Sequence, residues 1–268
     1  MSVFSGTIES MGNDIFGNNL SGTAQEYLNV SASHKYYGTA FSLVDDFYQV
    51  IEPVGLALVI TFFFLELLDS ATKDNFTVEH FARSLIKLVI TTIVIENSVS
   101  IFNTMMYIGY ALANSIKLVD DYNITPDNIV NSLGGGTLFA DIILILQLFI
   151  PWFISLIIRV GIIFACVGRA LDMLIKCAFA PIGLSDMFTE GLRSSGVRYL
   201  KNFLASCLSA VIMVAALRLG GSIQQAVLSS NSGFFNSISS ILTVIVFQAA
   251  TLSLVMKSQS IARELIAG

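Results

Sequence analysis

Charge is what this chain has least of. Lys, Arg, Asp and Glu make up 12% of its 268 residues, about half the usual share of a soluble domain. The shortage is concentrated in five stretches, from about Val50 to Leu68, Leu85 to Leu112, Ile142 to Val167, Phe203 to Leu228 and Ile238 to Met256. Each is long enough to cross ~30 Å of hydrocarbon as a helix, which takes about 20 residues. A charge at mid-bilayer costs at least ~2.5–3.5 kcal/mol on insertion scales, so charge-poor runs of this length point to lipid as the solvent. A large soluble domain is excluded: the longest polar stretches, residues 1–45 and the segment from Lys117 to Thr137, are too small to bury a core of their own.

Other shortages narrow the chemistry. The three cysteines, Cys166, Cys177 and Cys207, lie in or near the apolar runs with no CxxC spacing, the pattern of inert buried thiols rather than of a zinc site or disulfide framework. The two histidines, His34 and His80, are far apart in sequence and fall on opposite predicted sides of the membrane. GxSxG and HExxH are missing, and no Lys-Ser/Thr pair follows Gly134-Gly135-Gly136, which therefore reads as a hinge or tight turn. No catalytic group, metal or cofactor is expected. A net charge of −5 and a pI near 5.0 argue against a broad basic nucleic-acid platform. Residues 1–40 hold no apolar signal core, so the first span is expected to act as the uncleaved insertion signal.

What is present is a 54% hydrophobic chain of mean hydropathy +0.76. The predicted fold is all-α and polytopic, with about five transmembrane helices in residues 46–268 after an extracytoplasmic N-terminal segment, 1–45. In that segment Phe4, Ile8, Met11 and Ile15 recur at helical spacing. They predict a short amphipathic helix, either an interfacial patch or a contact for a neighbouring subunit. Pro53 is placed near the start of the first span. The apolar run from Leu138 to about Phe179 would reach about 60 Å as one helix. Two spans turning near Arg159 would put the acidic connector (Asp120, Asp121, Asp127) and the basic loop near residue 190 on one side. One span with an amphipathic extension is therefore preferred. In that extension Arg169, Asp172 and Lys176 share a face, with Leu171, Leu174, Ile175 and Phe179 on the other, until Pro181 breaks the helix. The small residues of the last two spans, among them Ala205, Ser206, Ser209, Ala210, Gly220 and Gly221, favour close helix packing.

Five spans put Lys73, Arg83, Lys87, Arg169, Lys176, Arg193, Arg198, Lys201, Lys257 and Arg263 on one side, against Lys35 and Lys117 on the other. The positive-inside rule then sets the N-terminus outside and the C-terminus in the cytoplasm. Within the spans, Glu96, followed by Asn97, falls near the middle of the second. It is either a relay or lumen residue, or a carboxylate buried between helices. Arg159 and Arg218 are its candidate partners, with Gln147 and Asp141 as alternatives for Arg218. Arg169, Lys176, Arg193, Arg198 and Lys201 form an expected cytoplasmic basic surface for anionic lipid, a partner ATPase or nucleic acid.

The stretch Ala180-Pro181-Ile182-Gly183-Leu184, a short polar hairpin, and then Gly196-Val197-Arg198-Tyr199-Leu200-Lys201-Asn202-Phe203 entering an apolar helix resembles the TrbL-like conjugal transfer family. The likeness covers roughly residues 45–260 and lacks the long hydrophilic C-terminal extension of many relatives. The resemblance implies a non-enzymatic, multi-pass subunit of a type IV secretion system in the cytoplasmic (inner) membrane. Such a subunit forms a homo-oligomeric channel or scaffold beside other secretion subunits and motor ATPases, and serves translocating DNA or protein. The rival expectations are a small secondary transporter or ion-coupled carrier using Glu96, and an accessory protein that only anchors soluble partners.

Overall fold

The computed structural model describes residues 5–16, 20–30, 35–72, 77–116, 138–187, 193–230 and 238–267. Among them every regular element is a helix: α1 (Ser5–Phe16), α2 (Leu20–Leu28), α3 (Gly38–Thr72), α4 (Val78–Glu96), α5 (Ser98–Ser115), α6 (Leu138–Ala178), α7 (Ala180–Leu184), α8 (Ser195–Ser230) and α9 (Ile238–Ala267). Four helical stretches are long and apolar enough to cross a membrane: Gly38–Thr72, Leu148–Ala178, Ser195–Gln224 and Leu242–Ile266. The bent pair α4–α5 makes a fifth if it is one span. The chain is thus an all-helical protein with four to five candidate membrane spans. The triple glycine, the acidic connector and His34 lie outside the described residues.

Two expectations are corrected. The run from Leu85 to Leu112 is not one straight helix but two, bent by 60° at Asn97. Pro53 lies well inside α3 rather than in its first turn. A proline removes one helical hydrogen bond. Here the preceding turns are held by tertiary packing, with Phe41, Val44 and Tyr48 buried. Helices α1 and α2 belong to a compact unit with parts of three spans, and α3 starts at Gly38. The run after Leu138 is one 41-residue helix, α6, with no turn at Arg159.

The chain divides into two compact units. The first comprises Met1–Leu28, Ala113–Val167 and Val211–Ser258; the second comprises Asn29–Leu112, Gly168–Ala210 and Gln259–Gly268. In the first, Ile15, Leu148, Ile162, Val214 and Val244 are fully buried. Gly220 there lies so close to Thr251 that a Cβ would collide with its hydroxyl. In the second, Phe102 stacks on Phe203 with ring centroids 4.1 Å apart, and Ile95, Met173, Cys177 and Leu184 complete the core. The small residues of α8 serve this intramolecular packing. Ala205, Ser206, Ser209 and Ala210 are buried, and 61% of the most apolar window of α8 is buried, against 11–22% in the other three single-helix spans.

The remaining apolar surface faces outward. Ile150, Ile157, Val160, Phe164, Leu171 and Ile175 of α6 are all exposed. A water-soluble monomer does not present such a continuous patch; helices solvated by lipid do.

Candidate functional site

Four places bring polar chemistry into the apolar helices. The first is the break between α4 and α5. Asn97 takes φ −101° and ψ 7°, and its backbone N–H donates back to Ile93 and Ile95. Its side-chain amide also donates to the Ile93 carbonyl at 2.9 Å. The Tyr48 hydroxyl donates to the Ile95 carbonyl at 2.5 Å, and Ser98 Oγ lies 3.4 Å from that hydroxyl. Exposed ends of backbone are tolerated at membrane depth only when such groups satisfy them. Glu96 and Asn97 are themselves exposed at the bend. Glu96 belongs to the second unit, whereas Arg159 and Arg218 belong to the first.

Both arginines have other partners, in the first unit. Arg159 Nη1 lies 3.4 Å from Asp14 Oδ1, and Trp152 Nε1 donates to Asp14 Oδ2 at 2.9 Å. Gln248 adds a 2.6 Å bond to the Ile15 carbonyl. The amphipathic helix α1 therefore packs within its own chain against the span helices α6 and α9, rather than serving as a free patch. Arg218 is 7% exposed and its Nη2 donates to Gln25 Oε1 at 2.9 Å, while Nε and Nη1 are buried without a partner. Gln25 in turn donates to Asn114 at 2.7 Å. The side chains of Gln147 and Asp141 lie outside the described residues.

The third place is in the second unit. Asp172 Oδ2 accepts from Lys176 Nζ at 2.7 Å, from Ser206 Oγ at 3.0 Å and from Arg169 Nη1 at 3.5 Å. Lys176 also donates to Ser206 Oγ at 2.7 Å. The Arg169 and Lys176 side chains are 10% and 19% exposed, whereas Leu171, Ile175 and Phe179 stand outside. The shared face predicted for Arg169, Asp172 and Lys176 exists, but it turns inward, because apolar side chains take the lipid side and paired charges take the interior. This corrects Arg169 and Lys176 as surface residues. Arg193, Arg198 and Lys201 remain exposed, as a basic surface requires.

The fourth is the α7 hairpin. Helix α6 ends at Ala178, just ahead of Pro181, and Pro181 occupies the first turn of α7. A Cβ on Gly55 would lie 2.6 Å from Pro181, one on Gly183 2.6 Å from the Tyr199 ring, and one on Gly196 2.6 Å from Met187 Cα. The Tyr199 hydroxyl donates to the Lys176 carbonyl at 2.5 Å. Ser194 Oγ accepts from the Val197 amide at 3.3 Å, and Asp186 accepts from the Ser195 hydroxyl at 2.8 Å, which caps α8. Pro181, Gly183, Gly196 and Tyr199 are thus a lock between α3, α7 and α8.

Asp14, Gln25, Tyr48 and Ser206 were not visible as site residues from sequence, since each acts on a residue dozens of positions away. A cleft of about 510 Å³ lined by Glu66, Asp69, His80 and Asp186 was missed for the same reason. Among the described residues no group of His, Cys, Asp and Glu is placed to hold a metal ion, and the three cysteines are buried and form no disulfide. No protein-family model matches the chain, and no curated protein and no solved structure matches it.

Proposed function

We propose that this multi-pass membrane protein is a channel or scaffold subunit of a type IV secretion (conjugative transfer) system. In this reading it sits in the cytoplasmic membrane with its N-terminus outside and assembles as a homo-oligomer. It works beside motor ATPases on DNA or protein cargo and carries out no chemistry itself. The observation that carries the reading is the α7 lock. The short stretch through which the sequence resembles the TrbL-like family is the stretch whose glycines, Gly183 and Gly196, are packed too tightly for any side chain. A scaffold needs such rigid joints between spans, and the exposed Arg193, Arg198 and Lys201 beside the lock offer a basic face to anionic lipid or a partner. The test is the particle mass in mild detergent, with a transfer assay in cells lacking the chain. A ring-sized oligomer and loss of transfer are expected; a monomer with normal transfer overturns the reading.

The break at Glu96 favours a second reading, an ion-coupled carrier, because discontinuous helices supply ion sites in many carriers. A Glu96→Gln variant that abolishes solute flux by a reconstituted monomer would establish it.

A further inference from the structure

Helix α5 has two faces. Phe102, Met106 and Gly109 follow one another at helical spacing and are buried in the second unit. On the opposite side Ser100, Asn103, Thr104 and Tyr107 recur at i, i+3, i+4 and i+7, a stripe about 10 Å long at 1.5 Å per residue. Ser100, Thr104 and Tyr107 are exposed and Asn103 is half-buried. Glu96 and Asn97 stand exposed at the head of the stripe, where the helix breaks. Next to it on the same helix, Ile108 and Leu112 are exposed and apolar, at 52% and 49%.

Lipid suits the second strip and not the first. Thr104 satisfies its hydroxyl on the Ser100 carbonyl at 2.8 Å. The Asn103 amide and the Glu96 carboxylate have no such bond among the described residues. The exposed face of α6 shows what lipid contact looks like in this chain: Ile, Leu, Val and Phe, with no polar side chain among the exposed described residues.

We infer that the polar face of α5, from Glu96 to Tyr107, lines water, in a lumen that several copies of this chain enclose and that their Glu96 carboxylates make selective for cations. This rests on the oligomeric conduit reading and adds which face forms the path and what charge it favours; of the two cargoes, an acidic ring suits protein and repels polyanionic DNA. The occupant is water rather than a dry contact with another copy, because a dry contact leaves each buried carboxylate without a cation. The stripe itself carries no basic group for a neighbour's Glu96 to meet.

The experiment uses the whole chain in native membranes, with Ser100→Cys, Thr104→Cys, Tyr107→Cys and Ile108→Cys introduced singly. The native cysteines are buried and give little background. Charged methanethiosulfonates label thiols only from water. The three stripe positions are expected to label and position 108 to resist. Relative to a free thiol, the cationic reagent should outpace the anionic one by on the order of tenfold, and Glu96→Gln should erase that preference. Silence at all four positions overturns the lumen, as does equal labelling at all four. An unchanged preference in Glu96→Gln overturns the acidic ring. The particle mass of the same preparation separates the two readings. An unlabelled stripe in a large oligomer defeats the lumen alone, whereas a labelled stripe in a monomer defeats the shared conduit.

Discussion

The two units solve one problem differently. In the second, the buried cations Arg169 and Lys176 find their counter-ion one turn away on the same helix, at Asp172, and a single serine from α8 joins them. In the first, Arg159 and Arg218 draw partners from the N-terminal helices, Asp14 and Gln25, 145 and 193 residues away in sequence. Pairing within a helix is set once the helix forms. Pairing across the chain depends on docking α1 and α2, so the first unit holds its charges only in the assembled state. Arg218 shows the cost: its partner is a neutral amide and two of its nitrogens are unsatisfied.

Substitutions sharpen this contrast, and thermal unfolding in detergent measures them all. Asp172→Ala is expected to be the most damaging. It takes the anion from Lys176, whose side chain is 19% exposed, a loss of about 3 kcal/mol, the low end for breaking a buried pair since Asp172 is itself a third exposed. Gly183→Ala comes next, at about 1–3 kcal/mol, because the new methyl would force the Tyr199 ring aside. If it instead proves neutral, the α7 lock is not rigid. Arg218→Met should go the other way and be neutral or stabilising, since it removes a poorly satisfied buried charge and keeps the apolar stem. Marked destabilisation there would mean that Arg218 has an anionic partner in the working assembly. The smallest effect belongs to the Asp14 and Arg159 pair. A double-mutant cycle should give a coupling of about 1 kcal/mol or less, because the contact is 3.4 Å long and Asp14 is half-exposed.

The apolar runs translated into helices with few surprises, and the single long α6 followed from the distribution of charge on either side of it. The helix break at Asn97 was not legible, because Ile93, Val94, Ile95 and the residues after Ser98 read as one continuous apolar pattern. What opens it is a tyrosine on another helix, Tyr48, whose hydroxyl claims the Ile95 carbonyl. The inward turn of Arg169 and Lys176 was hidden for a related reason. Periodicity says which residues share a face, and in water the charged face is the outer one; in lipid the assignment reverses. Gly183 and Gly196 carry the family resemblance in the sequence, but nothing there says what they, or Gly55, pack against. Their role emerges only when Pro181, Tyr199 and Met187 arrive from other elements.

Composition and periodicity were enough to establish helices, their number within one, and their solvent, because these depend on local backbone hydrogen bonding and on how poorly hydrocarbon solvates charge. Which arginine meets which acid, where a span bends, and which polar face is left uncovered were settled by packing. Those outcomes come from contacts between segments far apart in the chain, and no local pattern records them.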